Sequence, residues 1–147
     1  MFIKLKDNIH LSEVAGGQET NPLWTSEIGN KEFKAALIQS LKEASYLGSA
    51  DSNYQLSANL LEVDQPFAGI NLTVTTTVLY ILTERNGGME ILKETIIASY
   101  TAGFSDSVVA VKRLRLANEG SARENIHEFL KALSNLKIEK NQVSISM

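Results

Sequence analysis

Apolar and polar residues alternate with a period of two over four stretches of this chain, and recur near 3.6 over two others. Ile9, Leu11 and Ala15 mark a first strand within Asn8–Ala15, ended by Gly16-Gly17. Tyr54, Leu56, Ala58 and Leu60 are separated by Gln55, Ser57 and Asn59, a half-buried strand that stops at Asp64-Gln65-Pro66, where proline cannot donate to a ladder. In the third run Leu72, Val74, Thr76, Val78, Tyr80 and Leu82 share one face, and Thr73, Thr75, Thr77, Leu79 and Ile81 share the other. In the fourth, Leu92, Ile96, Ala98 and Tyr100 share a face with Glu94. Their β-branched content fits strands.

The turn between the last two runs is constrained by parity. A two-residue turn at Asn86-Gly87 would oppose even positions to odd ones, and a one-residue slip sends every side chain to the wrong face. The pattern therefore predicts an odd loop, Asn86-Gly87-Gly88 with a glycine at positive φ, registering Leu82 with Leu92, Val78 with Ile96 and Val74 with Tyr100.

Phe33, Ala36/Leu37, Ser40/Leu41 and Ala44 predict a first helix of about 17 residues, capped by Asn30, with Glu32 in its first turn and a stop near Gly48. A second helix is predicted from about Ser105 to Leu136, started by Ser105 or Asp106. Its buried stripe is Val108, Val111, Leu114, Ala117/Asn118, Ala122, Ile126, Phe129/Leu130 and Leu133. Gly120 costs that helix about 1 kcal/mol against alanine, which close approach to the sheet would justify. Gln142–Ile145 is either a short closing strand or a tail. The order β-α-β-β-β-α, with both helices on one face of a mostly antiparallel sheet, is a two-layer α+β sandwich. At 147 residues it reads as one domain, with a core over about 30–136 and a peripheral N-terminal strand and C-terminal tail.

Composition removes function classes more than it assigns one. A net charge of −3 gives no global field for nucleic acid or an anionic bilayer. The absence of cysteine excludes disulfides, thiolate metal sites and a cysteine nucleophile, and leaves the redox compartment open. The two histidines, His10 and His127, have no histidine at i+4 and no metal partner nearby in sequence. Gly16-Gly17 and Gly87-Gly88 fit turns and match no phosphate loop. No cofactor, no metal and no catalytic set is expected.

Two surfaces stand out instead. Thr73, Thr75, Thr77, Thr95, Ser99 and Thr101 make the outer sheet face rich in hydroxyls, while Leu79, Ile81, Ile91 and Ile97 form an apolar patch on the same side near the hairpin tip. Such patches mark interaction sites. Lys112, Arg113 and Arg115, with Arg123 beyond, form the local basic cluster. Lys112, Arg115 and Arg123 make a ridge suited to an anionic partner, or a solvated face in which Arg115, Glu119 and Arg123 alternate in sign. Trp24, in Asn21-Pro22-Leu23-Trp24, is either a lid over the core or an exposed anchor.

The runs ALIQSLKEASYLGS, YQLSANLLEVDQP, VTTTVLYILTERNGGMEIL and AVKRLRLANEGSARENIHEFLKAL together resemble the soluble domain of small bacterial outer-membrane lipoproteins of the YajG and LptE type. The matching positions are Ala36, Leu37, Ser40, Leu41, Tyr80, Leu82, Gly87, Ala117, Asn118, Glu119, Asn125, Ile126, Phe129 and Leu130, within about 30–136. The resemblance implies a non-enzymatic periplasmic domain that binds or helps assemble an envelope protein or lipid. Anchoring would require a signal peptide and a lipobox cysteine ahead of Met1; otherwise the chain is expected to be a cytoplasmic scaffold, homodimeric or engaged with another protein.

Overall fold

The computed structural model describes residues 4–17, 28–66 and 69–146, with side chains described as far as Leu136. The elements are β1 (Ile9–Ala15), α1 (Asn30–Glu43), β2 (Tyr54–Asp64), β3 (Leu72–Glu84), β4 (Glu90–Ala102) and α2 (Ala110–Ser146). The described strands form one sheet in the order β1-β2-β3-β4, with β1 parallel to β2 and the other pairs antiparallel. Both helices lie on one face, the α+β arrangement that the alternation of the strands requires. Leu56, Ala58, Leu60, Val78, Tyr80 and Leu82 point under them and are buried. Phe33, Leu37 and Leu41 of α1, and Ile126, Phe129 and Leu133 of α2, close the core from above. Tyr80 and Phe129 stack with ring centroids 4.0 Å apart and planes 6° from parallel.

The register at the centre of the hairpin is the one parity demands: Leu82 opposes Leu92, Val78 opposes Ile96 and Val74 opposes Tyr100. The loop that sets it is longer than three residues. Between Glu84 and Met89, joined by the Glu84 N–H donating to the Met89 carbonyl at 2.8 Å, lie the four residues Arg85–Gly88, with Gly87 and Gly88 both at positive φ. That even loop would by itself mix the faces; a register shift between Leu82 and Thr83, which leaves Ile91 as an extra residue of β4, restores the parity.

Several boundaries differ from the sequence expectation for local reasons. Helix α1 has 14 residues and Gly29 as its N-cap. The Asn30 carboxamide is used elsewhere, its Oδ1 accepting from the Gly17 N–H at 2.6 Å. The helix stops before Gly48, at Ser45, which takes φ +63°. The Ser45 N–H then donates to the Lys42 carbonyl and the Tyr46 N–H to the Leu41 carbonyl, a Schellman turn built on serine. Gly48 serves a different purpose: its N–H donates to the Ile9 carbonyl, and a Cβ there would collide with the Asp7 backbone. Helix α2 starts at Ala110, because Asp106 spends its carboxylate on the Gly103 N–H at 2.7 Å in the preceding loop. Val108 and Val111 are accordingly exposed and leave the expected buried stripe. The stretch Gln142–Ile145 belongs to α2. The N-terminal strand is not peripheral, since Leu5, Ile9 and Leu11 are buried in the main core. Trp24 lies outside the described residues.

Candidate interaction surface

On the sheet face away from the helices, β3 and β4 carry a ladder of hydroxyls. Thr73 meets Thr101 at 2.7 Å between Oγ1 atoms, and Thr75 Oγ1 meets Ser99 Oγ at 2.6 Å. Farther along, the face becomes apolar. Ile97 opposes Thr77 and is 66% exposed; Leu79 opposes Thr95, Ile81 opposes Lys93, and both are half-buried. Strand alternation places Leu79, Ile81 and Ile97 on one continuous stretch, because the diagonal neighbour across an antiparallel pair stays within reach of a large side chain. Ile91 does not join them. The bulge at the start of β4 moves it off the alternation, and it packs against the helix-side core.

A second bulge, between Leu60 and Glu62 of β2, reshapes the other flank. Past it, Glu62 opposes Thr77 and Asp64 opposes Thr75, so two carboxylates lie on the outer face. The face is thus graded: carboxylates on the β2 side, hydroxyls and aliphatics on β3 and β4, and Lys93 on the edge strand. A charge on an edge strand resists indiscriminate edge pairing.

The basic cluster divides. Lys112, Arg115 and Arg123 are exposed, and Arg115 Nε stands 4.0 Å from Glu119 Oε1 across one helical turn. Arg113 is buried. It donates to the Ser107 carbonyl at 2.9 Å and the Gly69 carbonyl at 3.2 Å, and its guanidinium lies 5.2 Å from the centroid of the Phe104 ring. Arg113 is a tie between two loops and takes no part in the ridge. His10 is half-buried on β1 and His127 is exposed on α2.

One constellation escapes the reading of the sequence. Thr76, Ser121 and Asn125 are fully buried under α2. Asn125 Nδ2 donates to the Ile96 carbonyl at 2.9 Å, and its Oδ1 accepts from the Tyr80 hydroxyl at 2.8 Å. Ser121 Oγ donates to the Ala98 carbonyl at 2.9 Å and lies 2.9 Å from Thr76 Oγ1. Burial raises the Tyr80 phenol above its ordinary value. The available signal was Thr76 and the Tyr80 phenol, the two hydroxyls on an otherwise apolar strand face, with Ser121 and Asn125 spaced by four on the buried side of α2. These groups satisfy one another and the backbone of β4, which fixes how α2 sits on the sheet.

No protein-family profile and no curated protein matches the sequence. Solved structures share the fold. A candidate lipoprotein from Caulobacter crescentus superposes with a TM-score of 0.62 at 16% identity, over 88% of this chain and 91% of its own. A DUF330 protein from Xanthomonas campestris gives 0.64 at 10% identity, over 94% and 91%. A PelC dodecamer from Paraburkholderia phytofirmans gives 0.53 at 16%, over 93% and 92%. The chain therefore has a fold found in a candidate bacterial lipoprotein and in a protein that forms a dodecamer.

Proposed function

We propose that this chain is a non-enzymatic contact domain of the bacterial envelope, of the YajG and LptE lipoprotein type, which binds or helps assemble an envelope partner through the helix-free face of its sheet. The observation that carries the reading is the aliphatic stretch Leu79, Ile81 and Ile97. No described helix or strand covers it, although the opposite face of β3 is buried from Leu72 to Leu82. Large aliphatics grouped on an open face favour removal from water by about 25 cal/mol per Å² of apolar area. The hydroxyl ladder beside them is already paired within the sheet and costs little to cover.

The fold shared with a dodecamer favours a second reading, in which the same face meets another copy of this chain. One pair of variants separates the two. Ile81→Lys with Ile97→Lys should leave the urea midpoint nearly unchanged, because both side chains lie outside the helix-side core. If the partner is another protein, sedimentation shows a monomer for both forms, and the double variant fails to recover the cross-linked envelope partner that the wild-type chain recovers. If the partner is self, the wild-type chain sediments as an oligomer and the variant as a monomer. Equal behaviour of the two forms in both measurements would remove this face from consideration. Envelope location is tested separately, by fractionating the source cells and labelling with radioactive palmitate; a cytosolic, unlabelled chain would refute the lipoprotein reading and leave the scaffold reading standing.

A further inference from the structure

The two helices share the sheet and touch each other, and a cleft of about 540 Å³ opens along their junction. That volume falls in the range of small-molecule sites, about 300–1,000 Å³. Its cause is legible in the facing side chains. Along its walls α1 contributes Ala36 and α2 contributes Ala122, neither long enough to reach across. Below them Phe33 and Ile126 give the cleft an apolar floor.

The rim is divided by sign. Helix α1 contributes Glu32 and Glu43; helix α2 contributes Arg115 and Arg123, together with Glu119. Among the described residues, both ion pairs lie within α2 and none bridges the cleft. Arg115 is partnered by Glu119 at 4.0 Å, whereas Arg123 has no carboxylate within ion-pair distance among those residues. Three carboxylates against two guanidiniums disfavour a purely anionic head group. A head group bearing both signs suits opposite rims of opposite charge.

We propose that this cleft binds a single-chain zwitterionic amphiphile of the lysophospholipid class. The acyl chain lies along Phe33, Ala36, Ala122 and Ile126, the phosphate faces Arg123, and the amine faces one of the α1 carboxylates, Glu32 or Glu43, which stand about 16 Å apart along the helix. The site is independent of the sheet face, which is on the other side of the molecule.

The probe is dodecylphosphocholine, titrated calorimetrically into the full chain below its micelle concentration. Saturable one-to-one binding is expected, tighter than that of dodecyl sulfate or dodecyltrimethylammonium. Ala36→Trp fills the cleft from an exposed helix position and should weaken binding at least tenfold with the thermal midpoint kept; Ala36→Leu repeats the test with a smaller plug should tryptophan disturb the fold. Arg123→Glu should weaken dodecylphosphocholine severalfold and strengthen dodecyltrimethylammonium. Ile97→Lys should change nothing. Absence of saturable binding, indifference to both plugs, or loss through Ile97→Lys alone would each overturn the assignment.

Discussion

Gly120 shows how a single missing side chain sets a helix height. A Cβ at this position would fall within the contact distance of the Tyr100 ring on β4, so α2 settles onto that ring only because nothing projects from residue 120. Intrinsic propensity favours Gly120→Ala by about 1 kcal/mol, but overpacking against the ring costs about 1–3 kcal/mol. The substitution should therefore destabilise the fold in urea unfolding. In a Tyr100→Ala background the clash is gone, and the same change should become neutral or stabilising by about 1 kcal/mol. The sign reversal in a double-mutant cycle is the decisive reading; additive effects would show that Tyr100 is not the obstacle. The sequence pointed to close approach at Gly120, but it could not name the partner, which lies across a 20-residue separation.

At the scale of elements, the strands were easier to read than the helix ends. Alternation is dictated by the backbone itself, so buried and exposed faces follow once one face meets a core. Helix ends depend on which of several polar groups wins the terminal N–H and C=O groups. Asn30 and Asp106 are both competent caps that bond elsewhere, to Gly17 and Gly103. At the far end of α1 the left-handed residue is Ser45, with no glycine before Gly48. An L-residue in that region carries a cost of about 1–2 kcal/mol that glycine escapes. Ser45→Gly should raise stability by about 0.5–1 kcal/mol after the added entropy of the unfolded chain is subtracted. A lower thermal midpoint for this variant would mean that the turn is held by something other than its backbone bonds.

For the whole molecule, the buried group with the clearest titration is Tyr80. Burial pushes its phenol well above the ordinary value, so the native state keeps the proton where an unfolded tyrosine loses it. Burial and the nearby Glu84 carboxylate move Tyr54 the same way. The unfolded state thus binds fewer protons than the native one above about pH 10. The contribution is complete below that pH and is lost as pH rises, by up to about 1.4 kcal/mol per pH unit for each such group. Tyr80→Phe should cost about 1–3 kcal/mol at pH 7, because Asn125 Oδ1 loses its donor. It should also flatten the decline above pH 10, so that the two proteins converge. Urea midpoints at pH 7, 10 and 11 check this, and parallel declines would remove Tyr80 as the titrating group.

The sequence by itself determined what local periodicity can determine: the order of elements, the strand faces, the central register of the hairpin, and the placement of Leu79, Ile81 and Ile97 on the side that the core does not need. Tertiary structure decided the rest, because the deciding partner is distant in the chain. It buried Arg113 between the loops at Gly69 and Ser107, moved Ile91 from the outer patch to the core through a bulge, and drew Leu5 and Ile9 inside. It also joined Thr76 and Tyr80 to Ser121 and Asn125 from 45 residues away. The cleft between α1 and α2 is of the same kind. Each helix shows its charges and its alanine in the sequence, but the space between them exists only once the two helices are packed side by side on the sheet.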